Sequence, residues 1–120
     1  MQYMLLMYND PALEPAYGTP EFEKMMGGFF AANEQMKADG VLRAGEGLQG
    51  IETATSVRMR GGKVETMDGP FAETRETLGG YYVIEVPDLD AALRYAALIP
   101  SAAFGTVEVR PLMNYNPAEL

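Results

Sequence analysis

The residues best suited to chemistry lie in one stretch, residues 68–76, which reads DGPFAETRE. It places three carboxylates, Asp68, Glu73 and Glu76, beside the guanidinium of Arg75. A carboxylate whose pKa is raised by burial can transfer protons near neutral pH, and an arginine can pair with an anion. The carboxylates are therefore candidate catalytic residues, and Arg75 is a candidate ligand-binding residue. The alternative is a solvated loop, in which a surface Arg–Glu pair contributes under about 1 kcal/mol.

The composition excludes several kinds of active site. The chain of 120 residues has no histidine and no cysteine. Ser-His-Asp triads, Cys-His dyads, zinc-dependent hydrolysis and disulfides are therefore impossible within it. No spaced aspartate cluster resembles a calcium loop, and we expect neither a metal nor a cofactor. Any acid–base chemistry has to use carboxylates, tyrosines, lysine or arginine.

The charge of the chain limits its partners and its location. Its formal net charge is −8, and its 9 basic residues are scattered among 17 acidic ones. A phosphate backbone or an anionic membrane attracts clustered positive charge, so we expect no nucleic acid and no membrane as a partner. The apolar start MQYMLLMY is short and lacks a basic flank, which indicates a buried strand and a cytoplasmic protein.

The elements around the charged stretch follow the order strand, helix, strand, hairpin, strand, helix, strand. Apolar runs and turn residues predict strands over 3–8, 41–48, 81–86 and 106–110, helices capped by Thr19 and Asp88, and a hairpin over 55–67 turning at Gly61 and Gly62. This order predicts an α+β, ferredoxin-like βαββαβ fold with an inserted β-hairpin. We expect one domain over residues 1–113 and a flexible C-terminal tail over 114–120.

Two of the predicted strands, 3–8 and 81–86, are apolar on both faces. Helices cover only one face of a ferredoxin-like sheet, so something else has to cover the second face. The simplest cover is a second copy of the chain, packed sheet against sheet. We therefore expect a homodimer.

Four further residues complete the set of candidates. Phe71 is a candidate ligand-binding residue and is expected to anchor the DGPF stretch in the core. Tyr82 is expected to hydrogen-bond a ligand if it is the one of two adjacent tyrosines that points inward. Arg43 and Glu46, in the Gly-rich second strand, are reserve binding residues. Gly27 and Gly28 interrupt the first helix, which predicts a close approach of its backbone to another element.

The segments DGPFAETRE, LGGYY, MQYMLLMY, GVLRAGEGL and VEVRPLM, spread over residues 1–113, resemble the DGPF family within the YCII-related proteins. The resemblance implies a ferredoxin-like fold that dimerises into an α+β barrel. Members of the wider YCII group are similar to small dimeric enzymes with a proposed catalytic His-Asp pair. That mechanism cannot carry over to a chain without histidine. Arg75 stands where lysine is common in DGPF relatives. The compact ammonium charge of lysine is thereby replaced by the planar, forked guanidinium group of arginine.

Two functions follow as hypotheses. The first is binding or conversion of a small, anionic molecule in a pocket near the DGPF loop and the dimer seam. In the second, the chain is a non-catalytic interaction module. Because relatives in bacteria are often associated with extracytoplasmic-function sigma factors, the resemblance implies such a factor as the partner. An enclosed pocket lined by Arg75 and a carboxylate would favour the first hypothesis.

Overall fold

The computed structural model describes residues 1–113. Its elements are β1 (Gln2–Asn9), α1 (Pro20–Ala38), β2 (Leu42–Gly47), β3 (Thr55–Arg60), β4 (Lys63–Asp68), β5 (Thr77–Glu85), α2 (Leu89–Leu98), α3 (Ser101–Phe104) and β6 (Gly105–Pro111), with a 3₁₀ turn at Ile51–Thr53. This order confirms the α+β, ferredoxin-like prediction with its inserted hairpin. The tail predicted to be flexible, 114–120, lies outside the described residues.

Four strands form one antiparallel sheet in the order β2-β5-β1-β6. In its register, Leu5 of β1 lies opposite Tyr82 of β5 on one side and Val109 of β6 on the other. The two central strands are therefore β1 and β5. Their central position explains why these two strands are the most continuously apolar segments of the chain.

The helices cover one face of this sheet, and the core lies between the two layers. Alternate residues of β1, namely Tyr3, Leu5 and Met7, point to this face and are buried. From α1, Ala32 and Met36 pack against them. The core is completed by Ile84, Val86, Ala91, Ala92, Ala96 and Ile99.

Side-chain caps fix the starts of the two long helices, as the sequence predicts. Thr19 and Asp88 each accept a hydrogen bond from the backbone N–H three residues later, at 3.2 and 2.9 Å. The hydroxyl of Tyr95 on α2 donates to Asp39 Oδ2 at 2.6 Å, just beyond the end of α1. This bond, with a weaker contribution from Gln35, lowers the pKa of the Asp39 carboxyl and ties the two helices together.

The molecule is flat, because its second sheet face carries no helix. Its extents are 47 × 43 × 18 Å, and its radius of gyration is 16.7 Å, against about 14 Å for a compact domain of this length. The residues on the uncovered face include Met4, Leu6, Tyr8, Tyr81 and Val83, which are only partly buried. Within residues 1–113, no helix combines the length and apolarity needed to cross a bilayer.

Candidate functional site

A cavity of about 260 Å³ opens between the sheet and α1, at the end of the sheet where β1 finishes and β5 begins. The strands contribute three glycines to its wall, Gly45, Gly47 and Gly79, which leave room where side chains would otherwise fill the space between sheet and helix. The remaining lining residues are Met7, Asn9, Phe29, Asn33, Glu46, Tyr81, Tyr82 and Ser101.

The polar side chains on the helix side of this cavity are uncharged. Asn9 ends β1, Asn33 lies on α1 one turn after Phe29, and Ser101 opens α3. Each can donate and accept hydrogen bonds. The amide Nδ2 of Asn9 lies only 2.8 Å from where a Cβ on Gly79 would stand, so this glycine leaves space for the amide. The cavity therefore offers neutral hydrogen-bonding groups beside the apolar Phe29.

Ser101 is the unusual member of this set. Its side chain is fully buried, and its Oγ has no hydrogen-bond partner among the described residues. Leaving a buried hydroxyl unpaired costs on the order of 1–3 kcal/mol, so such groups are rare in folded proteins and require an explanation. The residue borders the cavity, but its hydroxyl has no surface accessible from it.

Tyr82 forms the sheet side of the cavity, and its ring covers Gly45 of the neighbouring strand. A Cβ on Gly45 would lie 2.6 Å from Tyr82 Cδ1, so only glycine accommodates this ring position. Tyr82 is half-buried, and burial raises the pKa of its phenol above the ordinary value of 10.0. The phenol is consequently protonated at neutral pH and can donate a hydrogen bond. Of the two adjacent tyrosines, Tyr82 is the one that packs against the core, and its role in ligand binding stays a prediction.

No lysine or arginine lines the cavity within the part of the chain that the structure describes. Glu46 pairs with Tyr81, and strand alternation points both side chains to the opposite, uncovered face of the sheet. The cavity side chains therefore carry no formal charge. Among residues 1–113, no group of three or more acidic side chains lies close enough to hold a metal ion.

The DGPF loop, residues 68–76, lies outside this cavity. Asp68 ends β4 and is exposed, and Glu73 is exposed in the loop itself. The prediction that Phe71 anchors the loop in the core is wrong for the single chain, because 75% of its surface is exposed. The turn chemistry is nevertheless present, since Gly69 adopts a φ of 93°. The structure therefore does not bring Asp68, Phe71 and Glu73 together with Tyr82.

Two residues of the same loop attach it to the sheet. Arg75 Nε lies 3.3 Å from Oδ2 of Asp10, whose side chain is 9% exposed while that of Arg75 is 85% exposed. The other carboxylate oxygen of Asp10 accepts the backbone N–H of Ala12 at 2.9 Å. Glu76 Oε1 accepts a hydrogen bond from the hydroxyl of Thr106 at 2.9 Å. In the structure, Arg75 and Glu76 thus hold the loop in place, and the catalytic and binding roles predicted for them stay predictions.

The reserve candidate Arg43 is exposed on the edge strand β2. Its Nη1 donates to the carbonyl oxygen of Gly40 at 2.9 Å, which closes the turn after α1. Sequence reasoning selected Tyr82 but missed Asn9, Asn33 and Ser101, and the side chain of Glu46, which it also selected, points away from the cavity. Asparagines are ordinary at strand ends and within helices, so Asn9 and Asn33 did not stand out in the sequence. The available sign was the glycines of the opposite cavity wall, Gly45, Gly47 and Gly79.

The comparisons with known proteins assign the fold and the family. The model of the YCII-related domain matches residues 1–116, and this chain belongs to that family. It is 38% identical over 122 residues to the uncharacterized protein R00369 of Rhizobium meliloti (strain 1021), covering 100% of this chain and 98% of that protein.

A solved structure with a similar fold belongs to an enzyme of Burkholderia phenoliruptrix AC1100. It is 5-chloro-2-hydroxyhydroquinone dehydrochlorinase (TftG), in a complex with 2,5-dihydroxybenzoquinone. The TM-score is 0.55 at 13% sequence identity, and the match covers 96% of each chain. At this identity the similarity concerns the fold, and it agrees with the ferredoxin-like arrangement described above.

Proposed function

We propose that this protein binds a small, uncharged, single-ring compound with hydroxyl or carbonyl oxygens in the cavity between the sheet and α1. The observation that carries the proposal is the neutral, hydrogen-bonding lining of this cavity, in which Asn9, Asn33 and the phenol of Tyr82 lie beside the apolar ring of Phe29. The volume of about 260 Å³ is just below the roughly 300–1,000 Å³ of pockets for drug-sized molecules, which suits a smaller ligand.

The chemistry of the lining supports an uncharged ligand. Asn9, Asn33 and the protonated phenol of Tyr82 offer neutral donors and acceptors, and Phe29 offers a ring to pack against. Among residues 1–113, no cationic side chain lines this cavity to meet an anion, and the formal charge of −8 on the chain would oppose its approach. This ligand differs from the anionic molecule that the sequence predicts at Arg75.

The dehydrochlorinase TftG adds one argument about size. That enzyme holds a single-ring quinone in a fold of the same type, so the fold can accommodate a ring of this kind. The sigma-factor association that the family resemblance implies stays a prediction, and a module that only presents the DGPF loop to a protein would need no such cavity.

Hydroquinone is a suitable probe, because it is an uncharged ring with two hydroxyls. We expect its titration, followed by heteronuclear NMR, to shift the side-chain amide signals of Asn9 and Asn33. Asn33→Ala and Tyr82→Phe should each weaken binding about tenfold, since each removes one hydrogen-bonding group from the cavity lining. Tyr17→Phe is the matched control, because Tyr17 is 89% exposed and does not line the cavity; this variant should keep the wild-type affinity.

Benzoate, a ring of similar size with a negative charge, separates this proposal from the anionic hypothesis. We expect benzoate to bind at least about tenfold more weakly than hydroquinone, because no cation faces it. Unchanged amide signals up to about 10 mM hydroquinone would contradict the proposal. Tighter binding of benzoate, abolished by Arg75→Ala, would instead support the site predicted at the DGPF loop.

A further inference from the structure

The glycines in the wall of the cavity differ in what fills the space beside them. A Cβ on Gly45 would lie 2.6 Å from the ring of Tyr82, and a Cβ on Gly79 would lie 2.8 Å from the amide nitrogen of Asn9. Other side chains of the protein therefore fill the space at these two glycines. A Cβ on Gly47 would meet no atom within 4 Å among the described residues, so the protein leaves the space at Gly47 open.

The open space at Gly47 lies on the helix side of the sheet, where the cavity is. Gly45 and Gly47 are two residues apart on β2, and residues at this spacing share a face of the sheet. The Cβ position of Gly45 lies against Tyr82, which packs against the core on the helix side. Because β2 is an edge strand, the cavity opens beside Gly47, which is exposed and lines it. A side chain at this position would therefore enter the cavity.

The backbone at Gly47 does not require a glycine. Gly47 belongs to β2, and its φ is not positive, so an alanine fits the same conformation. The strand is held on its neighbour by the pairing of Gly47 with Gly80 and by the N–H of Leu48, which donates to the carbonyl oxygen of Gly79 at 2.8 Å. Glycine within a strand is less stable than alanine. Neither backbone conformation nor a close contact thus accounts for the missing side chain.

The space at Gly47 is bordered by the apolar end of Met7. Both residues pair with Gly80 of β5, from opposite sides. A Cβ on Gly80 would lie 3.1 Å from Met7 Cε and 3.2 Å from the Cα of Gly47, so the methyl group of Met7 lies close to the Gly47 backbone. The methionine thioether is polarizable and adapts to the group that packs against it. A ligand group over Gly47 would therefore contact a methyl group, which favours an apolar substituent.

We propose that the ring bound in this cavity carries a further apolar substituent, of methyl size or larger, that lies over Gly47 and against Met7. The placement rests on the proposed function, because it concerns a ring held in the same cavity. The oxygens of the ring stay available to Asn9, Asn33 and Tyr82, which line other parts of the wall. Gly47 then selects the ligand by size, and the class of ligand narrows to hydroxylated or carbonyl-bearing rings with an alkyl substituent.

Hydroquinone and methylhydroquinone differ by one methyl group and test the proposal as a pair. In NMR titrations, the wild type should bind methylhydroquinone about fourfold more tightly, which is the effect of burying one methyl group. Gly47→Ala puts a methyl group of the protein in the same space. This variant should therefore bind methylhydroquinone at least about tenfold more weakly than the wild type does, whereas its affinity for hydroquinone should change less than about twofold.

Gly27→Ala is the matched control for this substitution. A Cβ on Gly27 would likewise meet no atom within 4 Å among the described residues, but Gly27 lies on α1 and does not line the cavity. The control variant should bind both ligands as the wild type does. A second measurement uses no substitution at Gly47: with the methionine methyl groups labelled with ¹³C, the signal of Met7 should show a nuclear Overhauser effect to the methyl protons of bound methylhydroquinone.

The outcomes distinguish a failure at Gly47 from a failure of the cavity as a ligand site. If neither ligand shifts the amide signals of Asn9 and Asn33 up to about 10 mM, the proposed function and the placement of the substituent both fail. If hydroquinone binds but methylhydroquinone binds no more tightly, or if Gly47→Ala weakens both ligands by the same factor, the ring site stands and the placement at Gly47 is overturned. Bound methylhydroquinone without the effect at Met7 would overturn the placement as well.

Discussion

The four-stranded sheet and the β3–β4 hairpin are both antiparallel and both carry apolar side chains, yet only the sheet has an apolar face that is covered within the chain. Leu5 and Ile84 on the helix side of the sheet are 0% exposed, whereas Val57 and Val64 on the hairpin are about two-thirds exposed, at 65% and 64%. This difference shows that the alternation of residues along a strand predicts only which side chains share a face. Whether that face is covered depends on the elements that lie opposite it.

The same contrast separates the candidate site from the DGPF loop. The cavity is built where the covered face of the sheet meets α1, and its polar groups are held by packed elements. The DGPF loop continues from the hairpin and is attached to the sheet by the contacts of Arg75 and Glu76. A rigid scaffold positions binding groups more closely than an exposed loop does, which favours the cavity as the ligand site.

The largest difference in the free energy of unfolding is expected when one buried side chain of the sheet and one exposed side chain of the hairpin are truncated. Ile84→Ala should lower the free energy of unfolding by about 2–5 kcal/mol, because it leaves a cavity in the core. Val64→Ala should change it by less than about 0.5 kcal/mol in dilute, monomeric protein, since its side chain touches little there. Urea unfolding measures both, and a loss of more than about 2 kcal/mol for the monomeric Val64→Ala variant would contradict the contrast.

Substitution of the adjacent glycines of α1, Gly27 and Gly28, tests how closely this helix packs against Pro100. A Cβ on Gly28 would lie 2.8 Å from Cγ of Pro100, whereas a Cβ on Gly27 would meet nothing within 4 Å. Gly28→Ala should therefore destabilise the protein by about 1–3 kcal/mol, and Gly27→Ala, its matched control, should stabilise it by about 1 kcal/mol. Equal effects of the two substitutions on the urea midpoint would show that the close approach to Pro100 is not tight.

The smallest effect on stability is expected at the ion pair that attaches the DGPF loop to the sheet. Arg75→Ala removes the ion pair to Asp10, and the free energy of unfolding should fall by under about 1 kcal/mol, because the guanidinium is mostly exposed. Amide hydrogen exchange in residues 69–76 should become faster, while exchange in β1 and β5 stays unchanged. Arg94→Ala, which removes an exposed arginine of α2, should leave exchange in the loop as it is.

Much of the fold could be predicted from the sequence, because its signals are local. Thr19 and Asp88 cap the helices that their positions predict, and Gly61 and Gly62 form the predicted turn. Element boundaries were less predictable: β5 begins at Thr77, four residues before the predicted start, and α3 was missed. In the β5 extension, Gly80 pairs with Met7 of β1 and Gly47 of β2 despite its low strand propensity, and Gly79 lies at the register shift opposite β1.

The sequence by itself determined the period of each element, its caps and turns, and the exclusion of histidine and cysteine chemistry. These properties depend on residue types and on neighbours a few positions away. Only the tertiary structure decided that Asn9, Asn33, Tyr82 and Ser101 meet at one cavity, and that Phe71 and Arg75 lie outside it. The residues around this cavity are up to 92 positions apart in the sequence. Their proximity depends on sheet order and register, which no local spacing specifies.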